Sequence, residues 1–248
     1  MIDITETDQY WEYKRDLVID EIGLGAIPLE YRTKELCEIA IIEKRDLNGS
    51  ELKFVPKALR TKELCEAAVS TSGWALEFVP EELKTKAMCE IAVIKNGFAL
   101  KFVPEEFKTK ELCEIAVKSH GFALKYVPKE LKSPELCDLA VKKSGRVLKF
   151  VPEDMRTEEI CEIAVKEYGR ALEFVPEDLK TLEMCIRAVY DSGSALEYVP
   201  EDLRTFEISG IAVSNEDWAL QYVPEEFQEE LAEKYDIELP KKTFERGR

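Results

Sequence analysis

Histidine occurs once in 248 residues, at His120, and that scarcity removes several chemistries at the outset. A Ser-His-Asp constellation or a His-based metal site needs an imidazole held against partner groups. His120 stands just before Gly121, in a slot that carries Ser72, Asn96 and Ser144 elsewhere in the chain, and reads as decoration of a helix end. Cys-x-x-Cys pairs are missing as well, so the usual spacing of a structural zinc site is absent. Gly23 and Gly25 form no phosphate-binding fingerprint, and no stretch has Walker or kinase character. No metal and no cofactor is expected.

Long apolar runs are lacking, which predicts no membrane span. The opening MIDITETDQYWEYKRD has neither the basic nor the apolar region of a secretory signal. With an odd number of cysteines, seven, a reducing cytoplasm is the expected compartment. Basic charge is also short: the net charge is −16, which argues against direct nucleic-acid binding, because phosphate recognition rests on a basic footprint. The imbalance is uneven, net +4 from Pro80 to Val151 and net −15 from Pro152 to Tyr235.

What the chain does have is a strict internal period. Val-Pro recurs with prolines at 56, 80, 104, 128, 152, 176, 200 and 224, each 24 residues from the last, and Pro28 leads a copy stretched to 28 residues around EKRDLNGS. Eight repeats therefore start at Pro28, Pro56, Pro80, Pro104, Pro128, Pro152, Pro176 and Pro200. Each reads as helix. Proline and two mostly acidic residues open a turn, as in Glu105-Glu106, where carboxylates suit a helix N-terminus. Thr109 has the side chain of an N-cap and Glu111 follows in the first turn. Leu112-Cys113-Glu114-Ile115-Ala116-Val117 then covers a wide apolar face. Gly121 is expected at a left-handed C′ position, and FALKYV is a second short helix that ends at the next proline. One helix of about ten residues plus a short one is not stable alone in water, so stacking of neighbours must supply the stability.

The fold class expected is therefore all-α: an α-solenoid, or superhelical array, of eight repeats over residues 28–223, seven of 24 residues and the first of 28. Residues 1–27 form an N-terminal cap, a degenerate half-repeat with aromatics to cover the first exposed face. Residues 224–236 form an acidic C-terminal capping helix and residues 237–248 a flexible tail.

The cysteines, Cys37, Cys65, Cys89, Cys113, Cys137, Cys161 and Cys185, fall at one phase of the repeat, with Ser209 in the eighth. Spacings of 24 or 28 residues place neighbours too far apart for a disulfide, which requires Cα atoms within ~7 Å. They are expected to be small buried fillers with raised pKa.

Two slots admit a functional reading. Acidic pairs at Glu81-Glu82, Glu105-Glu106, Glu153-Asp154, Glu177-Asp178, Glu201-Asp202 and Glu225-Glu226 recur in the same turn. They serve either as dipole complement, with a base three residues on (Lys84, Lys108, Arg156), or as an acidic ladder for a basic partner. The residue after glycine changes most: Ser50, Trp74, Phe98, Phe122, Arg146, Arg170, Ser194 and Trp218. By contrast, the alanine of the first helix and the leucine of the second are constant in all eight repeats. Trp74, Phe98, Phe122, Arg146, Arg170 and Trp218 have the composition of a protein interface, or else they cover the groove between repeats, with the arginines snorkelling over it.

The phrase AVKSHGFALKYVPKELK, within the pattern AVxxxGxALxxVPxxLxT, resembles a helical repeat found in arrays in bacterial and some protist or viral proteins and catalogued as a domain of unknown function. The resemblance covers Pro28 to Val223. It implies an α-helical array and supplies no activity and no catalytic residue. Nothing in the chain assembles a nucleophile, a base and an oxyanion site. The expected function is a non-enzymatic scaffold whose solenoid surface holds another protein. The alternative is an acidic inhibitor or decoy, phage-encoded for example, that fills the basic groove of a nucleic-acid-handling enzyme.

Overall fold

The computed structural model describes residues 4–19, 22–43 and 51–239, and among these there is no β-strand. The chain is an all-α tandem array of the solenoid class. It divides into two compact bodies, Met1–Lys132 and Ser133–Arg248, with the division inside the repeat that starts at Pro128. Ser50, the insertion from Lys44 onward and the tail from Pro240 lie outside the described residues.

The N-terminal body carries α1 (Asp8–Val18), α2 (Lys34–Glu38), α3 (Lys62–Thr71), α4 (Lys86–Lys95) and α5 (Lys110–Ser119). In the C-terminal body are α6 (Pro134–Lys143), α7 (Glu158–Glu167), α8 (Leu182–Asp191), α9 (Phe206–Asn215) and α10 (Glu225–Tyr235). Helices α3 to α9 are each 10 residues long. The helix begun by α2 widens to π geometry over Ile39–Glu43.

The repeat at Pro104 shows how the local chemistry builds the unit. The Phe107 N–H donates to the Pro104 carbonyl at 3.0 Å, closing the 3₁₀ turn Glu105–Phe107. Thr109 is extended and its hydroxyl accepts from the Leu112 N–H at 3.2 Å, satisfying one of the orphan donors of the first turn. Helix α5 then buries Leu112, Cys113, Ala116 and Val117. Ser133 caps α6 in the same way, with Pro134 at the first helical position. His120 turns extended, at φ −141° and ψ 110°, and a 3₁₀ helix, Gly121–Tyr126, starts at once. Val127 is extended before Pro128, as the proline ring requires. The buried set of each repeat (Leu, Cys, Ala and Val of the α-helix; Ala, Leu and Val of the 3₁₀ segment) recurs in both bodies with few substitutions.

The glycine does a different job from the one expected. Gly121 is the first residue of a right-handed 3₁₀ helix, and the only described non-glycine residue with positive φ is Asp236, after α10. What glycine permits here is close approach. A Cβ at Gly73 would lie 2.2 Å from the Ala92 carbonyl oxygen, one at Gly97 2.4 Å from that of Ala116, and one at Gly169 2.4 Å from that of Ala188. The constant glycine of one repeat thus packs on the backbone at the constant alanine of the next, within each body. Asp217, which replaces the glycine in the last repeat, is exposed and has no further repeat to meet.

The described part of the N-terminal segment is fuller than a half-repeat. It has a 3₁₀ turn at Ile4–Glu6, an N-cap at Thr7 that accepts from the Tyr10 N–H, the helix α1, and a 3₁₀ segment Leu24–Ala26. Tyr10 takes the buried leucine slot, and its hydroxyl donates to Glu35 at 2.6 Å. At the other end α10 follows Pro224 directly and buries Leu231 and Ala232, so its first turn occupies the place of the usual 3₁₀ turn and N-cap. No described helix is long and apolar enough to cross a membrane.

Candidate functional site

Every cysteine is fully buried, and none is in a disulfide. Burial pushes the thiols of Cys37, Cys65, Cys89, Cys113, Cys161 and Cys185 up to about 11, against the smaller downward pull of the nearby Arg or Lys. A thiol that ionises so late is a poor nucleophile and metal ligand at neutral pH. Ser209 fills the eighth slot with no exposure, and its hydroxyl has no hydrogen-bond partner among the described residues. That slot selects for size and apolarity, which serine meets only in size. Among the described residues no group of three His, Cys, Asp or Glu is placed to hold a metal ion. His120 sits at the end of α5 with Nδ1 2.9 Å from the Ser119 hydroxyl, and its ring packs on Phe98 at 4.6 Å.

The base four residues after proline has a role that spacing alone did not reveal. Lys84 is almost wholly buried at its side chain. Its ammonium donates to the Phe102 carbonyl, at the end of the 3₁₀ helix Gly97–Phe102 of the same repeat, at 2.8 Å, and to Glu81 at 2.5 Å. Lys108 repeats this with Tyr126 and Glu105, and Lys180 with Tyr198 and Glu177. Where the base is arginine, backbone carbonyls take its donors: Arg60 bonds those of Val55, Phe78 and Lys53, and Arg204 those of Val199, Tyr222 and Glu197. An arginine thus closes the unsatisfied carbonyl ends of two successive 3₁₀ helices, and a lysine that of the next one. The signal was in the sequence, as a base in every repeat, but its partners are backbone atoms 18 residues away.

These clasps sort the acidic pairs. Glu81, Glu105 and Glu177 complete the shell of a buried lysine while remaining 75% exposed themselves. In the C-terminal body Glu153, Asp154, Asp178, Glu201, Asp202, Glu225 and Glu226 are exposed and make no ion pair among the described residues.

The variable slot lies on one face of the 3₁₀ helices. With three residues per turn, positions i and i+3 eclipse, so the residue after glycine shares its face with the residue three further on. In the N-terminal body this pairs Trp74 with Glu77, Phe98 with Lys101 and Phe122 with Lys125. Trp74, 43% exposed, stacks on Phe98 at 6.1 Å and 20° and meets the Phe102 edge at 6.2 Å. Phe98 in turn carries His120, so the aromatics run from repeat to repeat. Lys101 lies 5.0 Å from the Phe102 ring centroid.

The C-terminal body fills the same face differently. Arg146 lies over Tyr168 at 4.6 Å. Arg170 donates to the Tyr198 hydroxyl at 2.7 Å and to the Ser194 hydroxyl at 3.3 Å. Ser194 is buried, and its backbone N–H donates to Glu216 at 3.0 Å. Trp218 is 49% exposed and meets Tyr222 edge-on at 6.0 Å. A shallow cleft between α7 and α8, lined by Ile163, Lys166, Met184 and Arg187, lies on the α-helical side and includes none of these residues.

The family model described as domain of unknown function (DUF4116) matches three consecutive stretches of the chain, residues 33–84, 86–132 and 133–180. Each match spans two of the 24-residue repeats, so the family's domain is a pair of the units described above. No curated protein and no solved structure matches the chain.

Proposed function

The chain belongs to the DUF4116 family, and we propose that it is a non-enzymatic scaffold that holds another protein on the 3₁₀ face of its repeats. One observation carries this reading. The buried slots are nearly constant from repeat to repeat, while the slot after glycine runs Trp74, Phe98, Phe122, Arg146, Arg170, Ser194, Trp218 on the 3₁₀ face of each body. Packing that specified this slot would have kept one residue in it, as it keeps glycine, alanine and leucine. Tryptophan and arginine are among the residues that dominate binding energy at protein interfaces.

The test is site-specific photo-cross-linking with p-benzoylphenylalanine in place of Phe98, Trp218 or Lys110, the last on the exposed side of α5. Protein adducts at positions 98 and 218 but not 110 are expected. Adducts confined to position 110 would overturn the reading.

The acidic turn favours a second reading, an inhibitor that occupies a basic nucleic-acid groove. Its support is the set of exposed carboxylates from Glu153 to Glu226 that make no ion pair among the described residues of the C-terminal body. Charge reversal at Asp178, Glu201 and Asp202 that left capture of a basic partner unchanged at low salt would remove it.

A further inference from the structure

The charges beside the aromatic row define the partner more closely. In the N-terminal body the face position three residues beyond the variable slot carries Lys53, Glu77, Lys101 and Lys125, and α4 ends on Lys95. All five side chains are exposed, and on the 3₁₀ face itself three cations and one anion share the side that carries Trp74, Phe98 and Phe122. Lys53 lies 4.5 Å from the Phe54 ring centroid, Lys101 5.0 Å from that of Phe102, and Lys125 5.8 Å from that of Tyr126. Each ammonium therefore lies over the ring of the residue that follows it, and Phe102 in turn meets Trp74. In a molecule of net charge −16, this is a local reversal of sign on a half-buried aromatic surface.

We propose that the 3₁₀ face of residues 53–126 is a docking surface for an extended acidic polypeptide segment, one in which Asp or Glu recurs among aromatic or aliphatic residues. The inference rests on the scaffold reading above and names the chemistry of the partner. Charge complementarity selects the occupant. Carboxylates meet Lys53, Lys101 and Lys125, and apolar side chains lie on Trp74, Phe98 and Phe122. Repeats whose helices pack ~10 Å apart and an extended chain that rises ~3.3 Å per residue place one acidic residue about every third position of the partner. A single-stranded nucleic acid also stacks on aromatics, but isolated lysines at an aromatic rim, in an acidic chain, fall far short of the continuous basic groove such a ligand needs.

The experiment is selection from a random dodecapeptide display library on the full-length protein, followed by fluorescence anisotropy with the enriched peptides. Enriched sequences rich in Asp and Glu, with an apolar residue between acids, are expected. Their affinity should fall about tenfold or more in Lys101→Glu/Lys125→Glu and in Trp74→Ala, the loss of a typical interface anchor. It should be kept in Lys110→Glu, and it should weaken with salt between about 50 and 300 mM as screening grows. Unchanged circular dichroism and unfolding midpoint in the exposed-lysine variants separate lost binding from lost folding. Enriched peptides that are neutral or basic and still depend on Trp74 would overturn this inference and leave the scaffold reading standing. Failure to enrich any peptide on this face overturns both. Tighter binding of dodecathymidylate than of the best peptide overturns the acidic-peptide assignment in favour of nucleic acid.

Discussion

Up to Lys132 and from Ser133 onward the chain buries the same slots, caps its helices with the same kind of hydroxyl and closes its 3₁₀ ends with a base at the same position, lysine or arginine, yet the two bodies present different faces. On the 3₁₀ side the N-terminal body carries Trp74, Phe98 and Phe122 beside Lys101 and Lys125. The C-terminal body carries Arg146 and Arg170 beside Lys149, Glu173 and Glu197, with Ser194 withdrawn from the surface. The interior is fixed by contacts between neighbouring repeats, which are alike within each body. The face meets only what lies outside the stack, and there the two bodies have diverged in residue type, aromatic in one and arginine-bearing in the other.

If that division holds, damage to the interior should cost the same in either body. Gly97→Ala and Gly169→Ala each drive a methyl group into a backbone carbonyl that cannot move without its helix, and overpacking of this kind costs typically about 1–3 kcal/mol, at the upper end here. Urea denaturation should show both losses, with Asp217→Ala nearly neutral. A harmless Gly97→Ala would show that the glycine is retained for another reason. Next in size is the clasp. Lys84→Met and Arg156→Met leave carbonyls buried without a donor, a loss of about 1–3 kcal/mol, while Lys84→Arg should be close to neutral because arginine fills that slot at Arg60, Arg156 and Arg204.

A smaller gain is expected at Ser209, where serine stands in the buried cysteine slot. Ser209→Cys restores the slot's usual residue, removes an unpartnered hydroxyl, and should raise stability by roughly 1 kcal/mol. The cysteines themselves give the gentlest test. Their pKa is raised by burial in the folded state, so between pH 9.0 and about 11 the folded protein keeps protons that the unfolded chain releases. Stability contributed by these thiols is complete below the unfolded value and is lost as the pH rises through the folded one, in both bodies alike. Urea midpoints measured from about pH 8 to about pH 11 should decline, and labelling of all seven thiols by a disulfide reagent at neutral pH should be uniformly slow. One fast cysteine would mark a body whose interior differs from the other.

Much of this was legible from the chain itself. The period, the ten-residue helix, the threonine cap, the buried cysteine and the acidic closing helix all follow from residues that act locally or recur at fixed phase. Two features did not. The glycine, read by itself, suggested a left-handed turn, because a sequence shows which residue lacks a side chain and not what presses against it. The base after the proline turn, Lys84 or Arg156, suggested an ion pair with the nearby acid. Its main partners include carbonyl oxygens 18 residues away along the chain, which every residue possesses and no sequence motif marks. The variable slot was visible as variation, but its division into an aromatic, lysine-rimmed row and an arginine-tyrosine row emerged only once 3₁₀ geometry placed positions i and i+3 on one face.

The central claim is that the interior specifies the fold and leaves the slot after glycine free. It is tested most directly by the urea unfolding free energy of a chain that carries Trp74→Arg, Phe98→Arg and Phe122→Arg together, which gives the N-terminal body the slot residue of the C-terminal one. The account predicts a cooperative transition and a total loss no larger than that of Gly97→Ala alone, since the arginine stems cover the same groove. A loss larger than that of Gly97→Ala alone, or a broad and uncooperative transition, would contradict it.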